Sequence, residues 1–265
     1  MYAKFRCLSY FVMAIADNFS FNSSDPATAP PSEETPEETN VQQLFNQIAP
    51  VYDQLNDGLS FGFHRVWKQM AVDWSEPFPG AACLDVCCGS GDLTRLLARA
   101  VGPDGRVIGL DFAVAQLNQA CQRARSWSNS DVIEWKEGNA LRLPFPDHQF
   151  DAITMGYGLR NVPDIAQSLR ELLRVLKPGS KAAILDFHRP YNPVMTVVQR
   201  QYLERLVVPV ARQLGLEKEY AYIFPSLQRF PTGRQQEAIA LEVGFSTAVH
   251  YAIAGGLMGV LVAQK

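Results

Sequence analysis

Residues 82–94, Ala-Cys-Leu-Asp-Val-Cys-Cys-Gly-Ser-Gly-Asp-Leu-Thr, form an apolar run that ends at Asp85 and leads through a glycine turn into a helical pattern. This order predicts the first strand, tight turn and helix of a doubly wound α/β domain. Gly89 and Gly91 would let the backbone approach a ligand closely, because they carry no Cβ. Asp111 closes the next apolar run, where such folds hold ribose hydroxyls. The stretch therefore predicts a nucleoside site.

The glycine turn also indicates which nucleoside binds. It lacks the third glycine of a dinucleotide fingerprint, and Asp92 would place a negative charge where a pyrophosphate would rest. S-adenosylmethionine carries no phosphate but has a sulfonium, an amino acid end and an adenosine, so we expect this cofactor. The turn resembles that of class I methyltransferases, except that Cys87 stands where those enzymes commonly carry the first glycine. An NAD-dependent oxidoreductase, or a βα turn with incidental glycines, are the alternatives.

Composition sets limits on the class of protein. A chain of 265 residues is long enough for one α/β enzyme domain, and its net charge of −3 offers no basic face for nucleic acid. Cys83, Cys87 and Cys88 fall on the first strand and its turn, where we expect neither a disulfide nor a zinc ligand. The histidines share no metal-ligand spacing, so no metal is predicted.

Two parts of the chain differ in composition. Residues 1–40 include a tract rich in proline, glutamate, serine, threonine and asparagine, which predicts a disordered or processed extension. Residues 41–265 are predicted to form the methyltransferase domain, with an N-terminal helical flap at 41–73 and a helical cap at 194–216. The acidic tract is unusual for a plastid transit peptide, so a cytoplasmic place, or one peripheral to a thylakoid membrane, is predicted. No segment reaches the length of a membrane span.

The hydrophobic pattern alternates between strands and helices. Predicted strands are Cys83–Val86, Val107–Leu110, Val132–Trp135, Ala152–Met155, Ala182–Phe187, Ala248–Ile253 and Gly259–Ala263. Predicted helices are Val41–Ile48, Phe61–Val72, Leu93–Ala100, Ala113–Arg125, Ile165–Leu176 and Arg234–Val243. Alternation of this kind predicts a parallel sheet with helices on both faces. The last two strands lack an intervening helix and should pair as an antiparallel hairpin.

Two further segments narrow the family. Tyr52–Ser60, followed by His64 and Trp67, is similar to a signature of the quinone C-methyltransferases of ubiquinone and menaquinone biosynthesis. The segment Gly156–Val162, Gly-Tyr-Gly-Leu-Arg-Asn-Val, closely resembles the same family. This resemblance covers residues 41–265 and implies a Rossmann-like class I S-adenosylmethionine-dependent methyltransferase with a mostly parallel seven-stranded sheet. Four residues of these and neighbouring segments depart from the family pattern: Leu55, Ser180, Asp186 and His188.

The resemblance also implies a substrate. The segments Ser126–Asp131, Tyr220–Ser226 and Gly255–Gly259 are most similar to the branch in cyanobacteria and plastids that methylates demethylphylloquinone. The implied reaction is methylation of a ring carbon of a prenylated or phytylated naphthoquinol, the ring-methylation step of phylloquinone biosynthesis. Bacterial demethylmenaquinone and the ubiquinone precursor remain alternative substrates. A non-catalytic S-adenosylmethionine-binding module is the alternative from another class, although it would need neither signature.

Site residues follow from the matched motifs. Arg160 and Asn161 are expected to stabilise the phenolate that forms on the quinol, and Tyr52 to complete a proton relay. We expect the remaining site residues to bind the cofactor, and they are Asp85, Gly89, Gly91, Thr94, Asp111, Asn139, Ala140 and Gly156. Among these, Asp85 would orient the turn and the methionine amino group, and Asp111 would hold the ribose. His64 and Trp67 are explained equally well by helix packing.

The cap is the last feature of note. It is rich in valine and leucine and carries Arg200, Arg205 and Arg212. Its apolar side could cover the substrate's tail, contact a membrane, or simply be buried. Peripheral membrane contact and a homodimer are therefore kept as predictions about partners.

Overall fold

The computed structural model of the protein describes residues 62–190, 192–213 and 223–265. Within them lies one sheet of seven strands in the order β3-β2-β1-β4-β5-β7-β6. The strands are β1 Ala82–Val86, β2 Arg106–Asp111, β3 Ile133–Glu137, β4 Phe150–Gly156, β5 Leu176–Phe187, β6 Thr247–Ile253 and β7 Met258–Gln264. Only β7 runs antiparallel to its neighbours β5 and β6. The predicted parallel sheet with a terminal hairpin is confirmed.

Helices alternate with the strands. They are α1 His64–Trp74, α2 Asp92–Val101, α3 Val114–Ala124, α4 Ile165–Val175, α5 Pro193–Tyr202, α6 Val208–Gln213, α7 Ile223–Arg229 and α8 Gly233–Glu242. A π-helical turn, Leu203–Val207, joins α5 to α6. The short helix α7 was not predicted, because its seven residues are too few for a periodic pattern. The predicted extension 1–40, the helix Val41–Ile48 and Tyr52 lie outside the described residues.

Strand β5 is longer than predicted. Its first residue, Leu176, pairs with Phe150, but the next pair of the ladder joins Lys181 to Ala152. The residues between them therefore form a bulge that contains Pro178 and Gly179, and Gly179 has a φ of +80°. Proline cannot donate to a ladder, so the predicted strand began only after this bulge.

The core is divided between the two faces of the sheet. Neighbouring residues of β1 point to opposite faces, so Leu84 packs in one cluster and Cys83 in the other. Leu169 and Leu172 of α4 belong to the Leu84 cluster, whereas Leu97 of α2 belongs to the Cys83 cluster. Both clusters are buried, so the central strands carry apolar side chains on both faces and are nearly continuous apolar runs in the sequence. This two-sided burial holds the carboxyl ends of the central strands in place.

The cap region 194–216 is described as far as Gln213. Leu203 and Val207 are buried, but Val194, Val197 and Val198 of α5 are 67%, 58% and 47% exposed. The cap is attached to the sheet by Gln199, whose Nε2 donates to the carbonyl oxygen of His188 at 2.9 Å. The cap's apolar residues are thus partly buried and partly exposed. In the part of the chain that the structure describes, no helix is long and apolar enough to cross a membrane.

Candidate functional site

A cavity opens at the carboxyl ends of β1, β2 and β4, the edge where doubly wound folds bind ligands. The empty space between its atoms, including the part open to solvent, is about 930 Å³. Five residues predicted for the site line it: Gly89, Asp111, Ala140, Gly156 and Asn161. The sequence motifs therefore do converge on one place.

Asp111, at the end of β2, organises the glycine turn as well as the cavity wall. Its Oδ2 accepts from the Gly89 amide at 2.8 Å, and its Oδ1 accepts from the Ala113 amide at 2.9 Å. Burial raises the pKa of the carboxyl to about 6, although these amides oppose the rise. Each carboxylate oxygen can accept more than one hydrogen bond, so the group can also accept from two ribose hydroxyls.

The two glycines of the turn have different roles. A Cβ on Gly89 would lie 3.8 Å from Oε1 of Gln116, at the cavity wall. Gly91, with a φ of +89°, directly precedes α2, and a Cβ there would lie only 2.6 Å from the indole of Trp135. Gly89 therefore lies at the cavity wall, where its contact with a ligand stays a prediction. Gly91 instead allows close packing of the turn on two tryptophans, Trp127 and Trp135.

Asp85 lies beneath the cavity and does not line it. Its side chain is fully buried, and its two oxygens accept from the hydroxyls of Thr94 and Thr154 at 2.7 and 2.9 Å. Burial raises the pKa of Asp85 to about 7. These bonds tie α2 to β4 across the end of β1. Asp85 and Thr94 thus hold the turn from below. The contact of Asp85 with the methionine amino group stays a prediction.

The pKa of Asp85 leads to a prediction about stability. The folded value of about 7 lies above the ordinary value of 3.8. The stabilising contribution of the protonated carboxyl is therefore complete below pH 3.8 and is lost as the pH rises through 7. The change is about 1.4 kcal/mol per pH unit between those values. Urea unfolding of the wild type and Asp85→Asn at about pH 5 and about pH 8 measures it. The wild type should lose stability relative to the variant at the higher pH, and a constant difference would contradict the assignment.

Asp92 requires a correction of the charge argument made from the sequence. Its Oδ2 lies 2.6 Å from Nζ of Lys68, and its Oδ1 lies 2.7 Å from a guanidinium nitrogen of Arg123. Burial opposes ionisation, but the two cations outweigh it and hold the pKa of Asp92 at about 2. Asp92 is therefore compensated and does not make the turn electronegative. Phosphate is disfavoured by the missing third glycine and not by this acid.

Cys87 occupies the position where similar turns carry glycine. Its φ is +56°, a left-handed conformation that costs about 1–2 kcal/mol for a residue with a side chain. Gly158 makes room for it, because a Cβ on Gly158 would lie 2.7 Å from the Cys87 sulfur. Cys83, Cys87 and Cys88 are free, and burial raises the pKa of Cys87 and Cys88 well above the ordinary value. These thiols are packing groups.

Arg160 is not among the residues that line the cavity, although its neighbours Tyr157, Gly158 and Asn161 are. Its side chain is only 6% exposed. Its amide and Nε donate to the two carboxylate oxygens of Asp186 at 3.0 and 3.4 Å, and Nη1 donates to the hydroxyl of Ser226. Burial raises the pKa of Asp186, although Arg160 opposes the rise. Arg160 is therefore a buried link between β4, β5 and α7, not a surface ion-pair partner.

The remaining predicted residues lie around the same edge. Asn161 donates from Nδ2 to the Tyr157 carbonyl at 2.9 Å, and Gly156 faces Leu93. Oδ1 of Asn139 accepts from the amide of Leu141 at 2.8 Å, so it shapes the turn while its neighbour Ala140 lines the cavity. His64 and Trp67 pack on the sheet, with His64 5% exposed.

Several residues of the cavity wall were not predicted as site residues from the sequence. They are Lys68, Cys88, Ser90, Leu93, Phe112, Gln116, Gly138, Tyr157, Gly158, Val162 and Pro163, together with Cys87 and Asp92. A signal for Lys68 existed, because it lies four residues after His64 on the buried stripe of α1. Among the residues that the structure describes, no group of three or more histidine, cysteine, aspartate or glutamate side chains is arranged to hold a metal ion.

The chain is similar to a known family and to named proteins of that family. Residues 33–265 match the ubiE/COQ5 methyltransferase family. A protein of Nostoc punctiforme named 2-phytyl-1,4-naphthoquinone methyltransferase is 60% identical over 225 residues, which is 85% of this chain and 98% of that protein. A protein of Arabidopsis thaliana, named the chloroplastic 2-phytyl-1,4-β-naphthoquinone methyltransferase, is 53% identical over 84% of this chain and 86% of its own.

The fold also matches solved structures. A SAM-dependent methyltransferase from Aquifex aeolicus is superposed with a TM-score of 0.54, covering 74% of this chain and 88% of that one. Its sequence is 18% identical, so this match concerns the fold alone.

Proposed function

The chain belongs to the ubiE/COQ5 methyltransferase family, and we propose that it methylates a ring carbon of demethylphylloquinol, a phytylated naphthoquinol, to form phylloquinol. It is an S-adenosylmethionine-dependent methyltransferase. The observation that carries the substrate assignment is the identity of 53–60% with relatives named for 2-phytyl-1,4-naphthoquinone. The cavity contributes the chemical argument, because the segment that contains Arg160 and Asn161 lies at its wall.

The cavity fits the cofactor at three points. Asp111 presents carboxylate oxygens at the wall, where a ribose diol would donate to them. Gly89 leaves the wall without a Cβ, so the ligand can approach the backbone. Ala140, together with Phe112, gives an apolar surface suited to an adenine ring. When bound, the cofactor supplies an electrophilic methyl group.

The protein's own residues must then activate the quinol. A ring hydroxyl that loses its proton pushes electron density onto the neighbouring ring carbon. This carbon would form the new bond to the methyl group while the bond from that methyl group to the sulfonium sulfur breaks, which leaves a neutral thioether. The ring carbon afterwards releases its own hydrogen as a proton, which restores the aromatic ring. A cation near the phenolate oxygen lowers the energy of this path. In our proposal Arg160 is that cation.

The contacts of Arg160 support this role. Asp186 and Ser226 fix Nε and Nη1, so the plane of the guanidinium is held. Nη2 has no hydrogen-bond partner among residues 62–190, 192–213 and 223–265, which leaves it for a substrate oxygen. Arginine keeps its proton at any ordinary pH, so the quinol proton must leave by another group. Tyr52, predicted for that relay, lies outside the described residues, and Asp186 is a further candidate because burial raises its pKa.

Mass spectrometry of quinones from cells that lack the gene tests the substrate. Accumulation of 2-phytyl-1,4-naphthoquinone would support the proposal. Accumulation of a demethylmenaquinone or of a ubiquinone precursor would show that this compound is the substrate instead. An unchanged quinone pool would favour a binding module without catalytic activity.

A phytylated substrate is carried in membranes, and we propose that α5 contacts their surface. Val194, Val197 and Val198 lie at i, i+3 and i+4 spacing and are exposed. Arg205, also exposed, follows on the next turns of the cap and would favour anionic lipid. The name of the Arabidopsis relative describes that protein as chloroplastic.

Substitution of the three valines checks this contact. We expect replacement of Val194, Val197 and Val198 by serine to lower partitioning onto anionic vesicles roughly tenfold or more, because apolar area is lost from the interface. Activity on a short-tailed, water-soluble naphthoquinol should change little. Val114→Ser is the matched control, since Val114 is 45% exposed but lies on α3. Equal loss in both proteins, or none in either, would show that α5 is not the contact.

A further inference from the structure

Lys68 is a buried cation at the wall of the cofactor cavity. It lies on α1, and only 6% of the residue is exposed. Its Nζ donates to Oδ2 of Asp92 at 2.6 Å. The side chain therefore reaches from the N-terminal helix to the first residue of α2, where the glycine turn ends.

The charges around Lys68 do not balance. Asp92 is shared, because Arg123 also donates to it at 2.7 Å and donates to the Ser90 carbonyl at 3.0 Å. Two cations thus surround one carboxylate, which leaves a net positive charge at this end of the cavity. The amino end of α2 adds to it, because the unpaired amides of a first helical turn favour anions.

The ammonium group of Lys68 also has spare donors. It carries three N–H bonds, and Asp92 takes one of them. No second acceptor for it occurs in the described parts of the chain, 62–190, 192–213 and 223–265. A buried donor without an acceptor is costly, so a ligand oxygen at this point would be stabilising.

We infer that Lys68, positioned by Asp92, binds the α-carboxylate of S-adenosylmethionine. The cofactor has one anionic group, and the cations at this end of the cavity outnumber the carboxylate that they surround. Asp111 holds the ribose at the end of β2, so the amino acid end of the cofactor is left for the turn between β1 and α2. Lys68 is then a specificity residue that favours a complete cofactor over a nucleoside without the amino acid. The inference rests on the cofactor and not on the quinol proposed above.

Two ligands that differ only in the amino acid end separate this role from a structural one. S-adenosylhomocysteine has the carboxylate, and 5′-methylthioadenosine lacks the amino acid. We expect Lys68→Gln to weaken binding of S-adenosylhomocysteine about tenfold, measured by calorimetry, because a charge-assisted hydrogen bond is lost. Binding of 5′-methylthioadenosine should stay within about twofold of the wild-type value.

Controls make the result decisive. Lys181→Gln removes a lysine of β5 that pairs with Glu76 and does not line the cavity, and it should affect neither ligand. Lys68→Arg keeps the charge and should retain most of the affinity for S-adenosylhomocysteine. Equal weakening of both ligands by Lys68→Gln, or unchanged binding of both, would overturn the inference. These measurements contain no quinol, so their outcome does not depend on whether the proposed substrate is correct.

Discussion

Replacing Arg160 with lysine is expected to lower kcat roughly 100-fold at saturating cofactor, the scale of losing one donor to a developing oxyanion. Lysine keeps the positive charge but cannot bond Asp186 and Ser226 while also presenting a fixed donor to the quinol. The effect should fall on kcat, because the phenolate charge develops on the way to the transition state. Steady-state kinetics with a short-tailed naphthoquinol measures it.

A matched substitution separates chemistry from stability. Arg106→Lys replaces an exposed arginine that pairs with Glu134 between β2 and β3, and it should leave kcat unchanged. Affinity of Arg160→Lys for S-adenosylhomocysteine should remain close to the wild-type value. Near-normal turnover would show that Arg160 does not take part in the chemical step. A large loss of cofactor affinity would show instead that Arg160 shapes the cofactor pocket.

Replacing Asp111 with alanine is expected to weaken S-adenosylhomocysteine binding by at least tenfold, and by roughly 100-fold if both ribose bonds are lost. The carboxylate also anchors the amides of Gly89 and Ala113, so the turn that faces the ligand loses its support in the same variant. Asp111→Asn retains one carbonyl oxygen and the shape of the side chain, and it should lose less affinity. Calorimetry on both variants gives the comparison.

Asp151 provides the control for Asp111. It too is a carboxylate that accepts from a strand amide, that of Ala82 at 2.9 Å, and it pairs with Lys177 at the opposite end of the sheet. Asp151→Ala should lower the free energy of unfolding without changing affinity for the cofactor. If Asp111→Ala bound S-adenosylhomocysteine as well as Asp151→Ala does, the ribose would lie elsewhere.

The sheet could be predicted because its signals are local. Apolar runs such as those of β1 and β2 stand between polar turns, and the short link at Ala254–Gly256 leaves the last strands no alternative to a hairpin. The start of β5 was missed, since Pro178 and Gly179 interrupt the run and only the pairing with β4 shows that the strand continues.

The site was predicted only in part, because some of its residues form local sequence signals and others depend on distant partners. Glycines and strand-end acids are visible in the sequence, so Gly89 and Asp111 were placed correctly at the cavity. Whether an acid faces the ligand or the core depends on partners far along the chain. Thr154, which donates a hydrogen bond to Asp85, is 69 residues away in the chain, and Lys68, which donates to Asp92, is 24 residues away. No periodic pattern contains such pairs, so the charge at the turn was predicted with the wrong sign.

The most direct test of the proposed reaction uses the purified protein with methyl-labelled S-adenosylmethionine and 2-phytyl-1,4-naphthoquinol under reducing conditions. Mass spectrometry of the extracted lipid should show one added methyl group, with the label on the ring carbon next to a hydroxyl-bearing carbon, and Arg160→Lys should form this product far more slowly. A label found on oxygen, or no label on the naphthoquinol when the same protein binds S-adenosylhomocysteine tightly, would contradict the assignment.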